Sequence, residues 1–405
     1  MLFDPTRHET LQPLAWDEGA CRAAIQAIVD DTERHFSPER YWPPHPRDIE
    51  PGDDLSVPGT SLYFGACGVI WALQHLQSLG AARLSRDPAE DLDTLLERSH
   101  AWLAAVDGRD EVAAYLMGDL PILLLAQCRA PSAERANRLA ALIEGNLDHP
   151  SRELMWGAPG TMLAASFLHD LDADPRWAEL FRRSAEQLWS QLEWSDRHGC
   201  AFWTQDLYGH RSTYLDAVHG FVATASVLIR GRQLLDAAAW SAWQECIVNT
   251  VQRSATREGG LANWRVFLDV PEGTTPRMLM QFCHGAPGFV VCLAGLPDPA
   301  LDELLIAGGE ATWAAGPLAK GSNLCHGTAG NGYAFLKLYR RTGNALWLDR
   351  ARAFAMHALA QSRADAAEHG QGRYSLWTGD PGLAIYLWAC VQGTADYPTL
   401  DVFYA

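Results

Sequence analysis

Two short phrases in this chain pair a cysteine with a histidine. They are QFCHGAPGFVVCL at Gln281 to Leu293 and SNLCHGTAGNGYAFLKLYRRTG at Ser322 to Gly343. Thiolate sulfur and imidazole nitrogen are the donors that zinc takes in a tetrahedral site. Cys283 and Cys325 are too far apart in sequence for a zinc finger, so the fold must bring them together. If Cys283, Cys325 and His326 are the three ligands, the fourth position stays open, which is the arrangement of a catalytic rather than a structural zinc. His284 as a fourth ligand would close it. An open position can take a substrate thiol and hold it as a thiolate near neutral pH, which suits addition of sulfur to an electron-poor double bond. Such an addition needs a proton donor, and His219 in DAVHGF is the acid–base candidate because histidine titrates near neutrality. Asp119 in LMGDLP either orients that histidine or caps a helix. Cys67, Cys128, Cys292 and Cys390 lie in apolar runs and read as small buried hydrophobes.

The elements that position these residues repeat seven times. YFGACGVIWAL, YLMGDLPILLLA, LMWGAPGTMLAA, AVHGFVATASVL, FCHGAPGFVVCL, LCHGTAGNGYAFL and LWTGDPGLAIYL share a residue pair, a glycine, a few small or turn-forming residues and an apolar helix-like run. The shared glycines are Gly65, Gly118, Gly157, Gly220, Gly285, Gly327 and Gly379. Amphipathic stretches such as AERANRLAALIEGNL and WLDRARAFAMHALAQS lie between them, with apolar residues every three or four positions. Each unit thus holds an inner helix enclosed by others and an outer helix that covers it. In the sixth, Ala329, Tyr333, Leu336 and Arg340 fall on one line of the helix, and Arg340, Arg341 and Gly343 mark its end. An open solenoid would need polar capping units, yet the first and last phrases are as apolar as the middle ones. The expectation is an all-α closed ring of seven inner and seven outer helices. It forms one domain over residues 1–405, with a helical N-terminal segment (1–58) that carries a Pro-rich loop. Closure gathers Asp119, His219, Cys283, His284, Cys325, His326 and Asp380 at one end.

Bulk properties narrow the partners. The 405 residues are 48% hydrophobic and 20% charged, with a net charge of −17. Without a clustered basic surface, nucleic acid and anionic membrane are poor partners, and a small molecule or peptide is the better one. No apolar run reaches the roughly 20 residues of a transmembrane span. MLFDPTRHET does not read as a secretory signal. Nine cysteines without a disulfide-framework spacing favour a reducing compartment, hence a cytoplasmic location.

Over nearly its whole length the chain resembles the lanthionine synthetase C-like proteins, more closely the stand-alone eukaryotic-type members than the lantibiotic cyclases. The resemblance is strongest in CHGAPG, CHGTAGNGYAFLKLY and SLWTGDPGLAIYL, and extends to YLMGDLP, ELMWGAPG and AVHG. It implies a double-layered α/α toroid with one catalytic Zn²⁺ held by Cys283, Cys325 and His326. It places the catalytic histidine on His219, the acidic position on Asp119, and a glutathione- or substrate-contacting base on Lys320, and it matches an upstream arginine loosely to Arg277. The ring-forming cyclases carry an aromatic residue where this chain has His284, so His284 is not a required ligand. Departures are Phe282 in place of the usual Trp, and HGFVATA, which lacks a second glycine. The implied activity is addition of a thiol to dehydroalanine or dehydrobutyrine in a peptide, the thiol coming from a cysteine of that peptide or from glutathione. A dehydratase would be a separate partner. Two other readings are a non-catalytic zinc protein that binds glutathione or a partner, and a glycosidase that uses Asp119 and Asp380 as paired carboxylates.

Overall fold

A computed structural model describes residues 1–49, 51, 57–106, 112–270, 273 and 277–404. Residues 50 and 52–56 of the expected Pro-rich loop lie outside the described residues. Among those described, fourteen α-helices alternate between two layers. In chain order they are α1 (Glu18–Arg34), α2 (Ala66–Ser78), α3 (Leu92–Val106), α4 (Leu120–Arg129), α5 (Ala133–Gly145), α6 (Ala158–Asp172), α7 (Pro175–Ser190), α8 (Phe221–Arg230), α9 (Ala237–Ser254), α10 (Ala286–Leu293), α11 (Asp302–Ala315), α12 (Thr328–Thr342), α13 (Ala345–His369) and α14 (Asp380–Gln392). The even-numbered helices follow the seven glycine phrases and are buried on nearly every side, α10 completely. The odd-numbered ones form the outer layer, so the expected seven-plus-seven toroid is the observed architecture. Helix α12 stops at Gly343 in the left-handed conformation, as its sequence foretold.

The two layers start their helices differently. Five outer helices use side-chain caps that work in water: Asp17, Ser132, Asp174, Asp236 and Asn344 each accept a backbone N–H of the first turn. Five inner helices, α2, α6, α8, α12 and α14, begin at buried glycines without a side-chain cap. Their preceding loop doubles back instead, so that Ala66 N donates to Gly59 O at 2.9 Å, Thr328 N to Gly321 O at 2.8 Å and Asp380 N to Arg373 O at 2.8 Å. Backbone therefore satisfies the orphan groups where water is excluded.

Closure of the ring is visible in the backbone two residues before each shared glycine. Cys283 N donates to Cys325 O (3.0 Å), Cys325 N to Trp377 O (2.9 Å), Trp377 N to Tyr63 O (3.1 Å), Tyr63 N to Leu116 O (3.0 Å) and Leu116 N to Met155 O (3.2 Å). One residue earlier, Leu154 N donates to Val218 O at 3.2 Å. The Trp377–Tyr63 link joins the last phrase to the first, which an open solenoid could not do.

Such close approach leaves no room for side chains at some positions. A Cβ at Gly330 would lie 1.8 Å from Leu324 O and 3.0 Å from Phe282 Cβ. In the fourth phrase Ala223 stands at the corresponding place, where its own loop accommodates the methyl. Gly330→Ala is expected to destabilise the fold by about 3 kcal/mol or more through backbone displacement. Chemical denaturation of the metal-free protein checks this.

Two features were not legible in the sequence. Three short antiparallel hairpins decorate the connections: β1 (Glu193–Ser195) with β2 (Cys200–Phe202), β3 (Gln205–Leu207) with β4 (His210–Ser212), and β5 (Ala255–Glu258) with β6 (Leu261–Trp264). The C-terminal tail packs against inner helices as well. Phe403 O accepts from Trp71 Nε1 at 2.7 Å, Asp401 pairs with Lys337 at 2.6 Å, and the Tyr397 ring stacks on Phe282 at 4.4 Å. None of the described helices is long and apolar enough to cross a membrane.

Candidate metal and catalytic site

Adjacent turns bring the two CHG phrases together. Because Cys283 N is bonded to Cys325 O, the two side chains leave neighbouring points of the ring, and His326 follows directly, its N–H held at 2.9 Å by Asn323 Oδ1. The ligand atoms of Cys283, Cys325 and His326 all lie within 4.8 Å of one another. Both cysteines are buried, at 7% and 3% exposure. Burial and the neighbouring Cys325 push the Cys283 thiol up. The hydrogen bond from Cys283, helped by the Tyr63 hydroxyl and the Lys320 charge, holds Cys325 below the usual thiol range despite burial. Two soft sulfurs and one imidazole with a fourth position open fit zinc in its catalytic form.

A second group, His45, Asp365 and His369, also comes within metal-ligand spacing. Several of its atoms are already engaged: Asp365 Oδ1 accepts from Arg47 at 3.0 Å, His369 Nδ1 bonds Asp365 O at 2.9 Å, and His45 Nδ1 accepts Arg47 N–H at 3.3 Å. With Nδ1 an acceptor, a neutral His45 carries its proton on Nε2 and offers no lone pair there.

His219 stands at the same end of the ring, where its partner is a carboxylate that was not singled out above. Its Nδ1 is 2.9 Å from Glu153 Oε2, and Glu153 is completely buried. Burial alone would lower the histidine's pKa. The hydrogen bond and charge of Glu153, with Asp216 and Cys283 nearby, outweigh it and raise the value to about 9. The sequence signal for Glu153 is positional. Four residues before the shared glycines stand Ser61, Ala114, Glu153, Asp216, Gln281, Asn323 and Ser375, a column of mostly polar turn-formers. Several accept the N–H three residues on: Ser61 from Phe64, Glu153 from Trp156, Asp216 from His219 and Asn323 from His326. Where the column holds a carboxylate, it caps the loop and also faces a histidine, and in Glu153 the oxygen that meets the histidine accepts Met155 N–H at 2.8 Å as well. Glu153 Oε2 takes His219, and Asp216 Oδ2 takes His284 Nδ1 at 2.8 Å. Asp216 is held below the usual carboxylate range despite burial, chiefly by His284. His284 is thereby turned toward Asp216, and its ring centroid lies 6.5 Å from that of His219.

Asp119 does not supply the carboxylate next to His219. It is buried one residue after Gly118, its Oδ2 accepts Val112 N–H at 3.1 Å, and His100 Nε2 lies 3.5 Å away. Asp380 has the equivalent place after Gly379 and does the equivalent thing, accepting Arg373 N–H at 2.8 Å and the Ser362 hydroxyl at 2.7 Å. Both carboxylates clamp the loop that leads into an inner helix, which leaves the glycosidase reading without its acid pair. Lys320 is exposed, close enough to Cys325 to lower its pKa, and its carbonyl accepts from Arg47 at 3.0 Å. Arg277 is exposed, and among the described residues no contact ties it to the others.

Comparison with known proteins agrees with this architecture. A sequence model described as lanthionine synthetase C-like protein matches residues 20–402. LanC-like protein GCL1 of Arabidopsis thaliana is 37% identical over 136 residues, 31% of this chain and 30% of that protein. Glutathione S-transferase LANCL1 of Danio rerio is 34% identical over 141 residues, 32% of this chain and 33% of that protein. The matched stretch thus spans about a third of either relative. The solved structure of nisin cyclase superposes with a TM-score of 0.61 at 15% identity, covering 94% of this chain and 96% of that one, which shows a shared fold. With the family's sequence model spanning nearly the whole chain and the toroid of nisin cyclase reproduced, this chain belongs to the lanthionine synthetase C-like family.

Proposed function

We propose that this chain is a zinc-dependent enzyme that adds a thiol, from a peptide cysteine or from glutathione, to dehydroalanine or dehydrobutyrine in a peptide. The observation that carries this reading is the placement of the Glu153–His219 pair at the same end of the ring as the Cys283, Cys325 and His326 cluster. Those three side chains would hold the metal. When bound, zinc supplies a Lewis acid that lowers a substrate thiol's pKa toward neutrality. The rest of the chemistry falls to the chain's own groups. Glu153 occupies Nδ1 of His219, so Nε2 is the atom free to face substrate. A histidine whose pKa is about 9 carries that proton at neutral pH and can deliver it to the α-carbon as the carbon–sulfur bond forms. The proton lost by the thiol restores the imidazolium, so the addition balances. Lys320 at the rim is suited to a carboxylate of glutathione or peptide, and the substrate would come from a separate dehydratase.

Mass spectrometry of a dehydroalanine peptide incubated with the zinc-loaded protein tests the reading. With a cysteine in the peptide, a thioether ring forms without change of mass. With glutathione added, a peptide–glutathione adduct marks the intermolecular reaction. Glutathione binding with neither product would make the chain a non-catalytic binding protein. Removing zinc with a chelator is expected to lower product formation by about 10³-fold or more, and readdition to restore it.

A further inference from the structure

Each of the two cysteine sulfurs receives one hydrogen bond from a neutral side chain outside the ligand set. The Tyr63 hydroxyl lies 2.9 Å from Cys325 Sγ, and Gln281 Nε2 lies 2.8 Å from Cys283 Sγ. Neither contact is an accident of loose surface packing. Tyr63 sits two residues before Gly65, the place that Cys325 holds before Gly327. It reaches the sulfur through the ring-closing chain in which Cys325 N binds Trp377 O and Trp377 N binds Tyr63 O. Its ring is also packed against Trp377, with centroids 5.8 Å apart.

Gln281 belongs to the column four residues before the shared glycine. Ser61, Glu153, Asp216 and Asn323 in that column accept an N–H of their own loop, but Gln281 donates its amide N–H to the sulfur two residues on. The orientation of its amide is fixed by the other end. Gln281 Oε1 accepts from Arg7 Nη2 at 3.3 Å, so the NH₂ group is the one that meets the sulfur. Gln281 is 4% exposed, so this donor is shielded from solvent.

We propose that Tyr63 and Gln281 are positioning residues for the metal site, donating to the two thiolates that hold the zinc. This rests on the zinc reading above and goes beyond its three ligands. Hydrogen bonds to a thiolate withdraw charge from sulfur. A site with two thiolates and one imidazole then stays electrophilic enough to activate the thiol that takes the fourth position. The same bonds fix where each sulfur points before the metal arrives, which favours binding.

The test uses the full-length protein with Tyr63→Phe, Gln281→Met and the double substitution. Zinc affinity is measured by competition with a chromophoric chelator, and the sulfur-to-metal charge-transfer band is recorded after loading with cobalt(II). Each single substitution is expected to weaken zinc about 10-fold or more and the double about 100-fold, with the cobalt band moving to lower energy as the sulfurs become more electron-rich. Circular dichroism of the metal-free proteins separates this from misfolding. Variants that fold, bind zinc within twofold of wild type and leave the band unmoved would overturn the proposal while leaving the zinc site standing. Wild-type protein that binds neither ion would overturn both.

Discussion

Replacing Cys325 by alanine is expected to remove zinc from the protein and lower thioether formation by about 10³-fold or more. The substitution deletes one of only two sulfur donors, in a buried site where Cys283 and His326 alone cannot complete three-coordinate binding. It also strands the Tyr63 hydroxyl, so a modest loss of stability of about 1–2 kcal/mol accompanies it. Metal analysis after dialysis and product detection by mass spectrometry check the two losses separately. A variant that kept its zinc and its activity would contradict the assignment of the site. Cys292→Ala serves as the comparison. That thiol sits in α10 with its pKa raised to about 12 by burial, and its removal should leave metal content unchanged.

The second large effect concerns Glu153. With the carboxylate in place, His219 stays protonated up to about pH 9, so on the proposed mechanism its proton is available across the neutral range and the rate is expected to fall as pH rises through that value. In Glu153→Gln the charge is lost while the shape is kept, and burial then acts against only the smaller contributions of Asp216 and Cys283. The alkaline limb should move down by two units or more, toward or below the ordinary histidine value of about 6.5. At pH 8 the expected loss of turnover is about 10²- to 10⁴-fold, with smaller change in substrate affinity. The stability linkage has the same sign. A folded pKa above the unfolded one stabilises the fold fully below about pH 6.5, and that contribution disappears as pH passes 9. A pH–rate profile together with denaturation at pH 6 and pH 9.5 reads both. Asp119→Asn should leave the alkaline limb where it is, because the Asp119 carboxylate touches Val112 N and His100 rather than His219. A shift in Asp119→Asn with none in Glu153→Gln would reverse the assignment.

Much of this protein is legible in its sequence because the pattern repeats. Seven glycine phrases, each followed by an apolar run and an amphipathic stretch, define inner and outer helices, since a helix shows its burial directly in the spacing of its apolar residues. The CHG phrases mark Cys283, Cys325 and His326 because their residue types have few other uses side by side, and the fold gathers their ligand atoms. Asp119 and Glu153 show where that kind of reading stops. Both are acidic residues near a shared glycine, and composition does not separate them. One residue after the glycine, the Asp119 carboxylate folds back onto its own loop; four residues before it, the Glu153 carboxylate holds its loop and still reaches His219.

The sequence by itself determined the helices, their division into layers, the closed ring and the chemical character of its zinc candidates, because these follow from local periodicity and residue type. Only the tertiary structure decided which carboxylate meets which histidine, that Tyr63 of the first phrase touches Cys325 of the sixth, and that the C-terminal tail packs against the inner helices. Those pairings link residues from 64 to 332 positions apart, and their selection depends on side-chain direction at each turn of the ring, which no local propensity encodes.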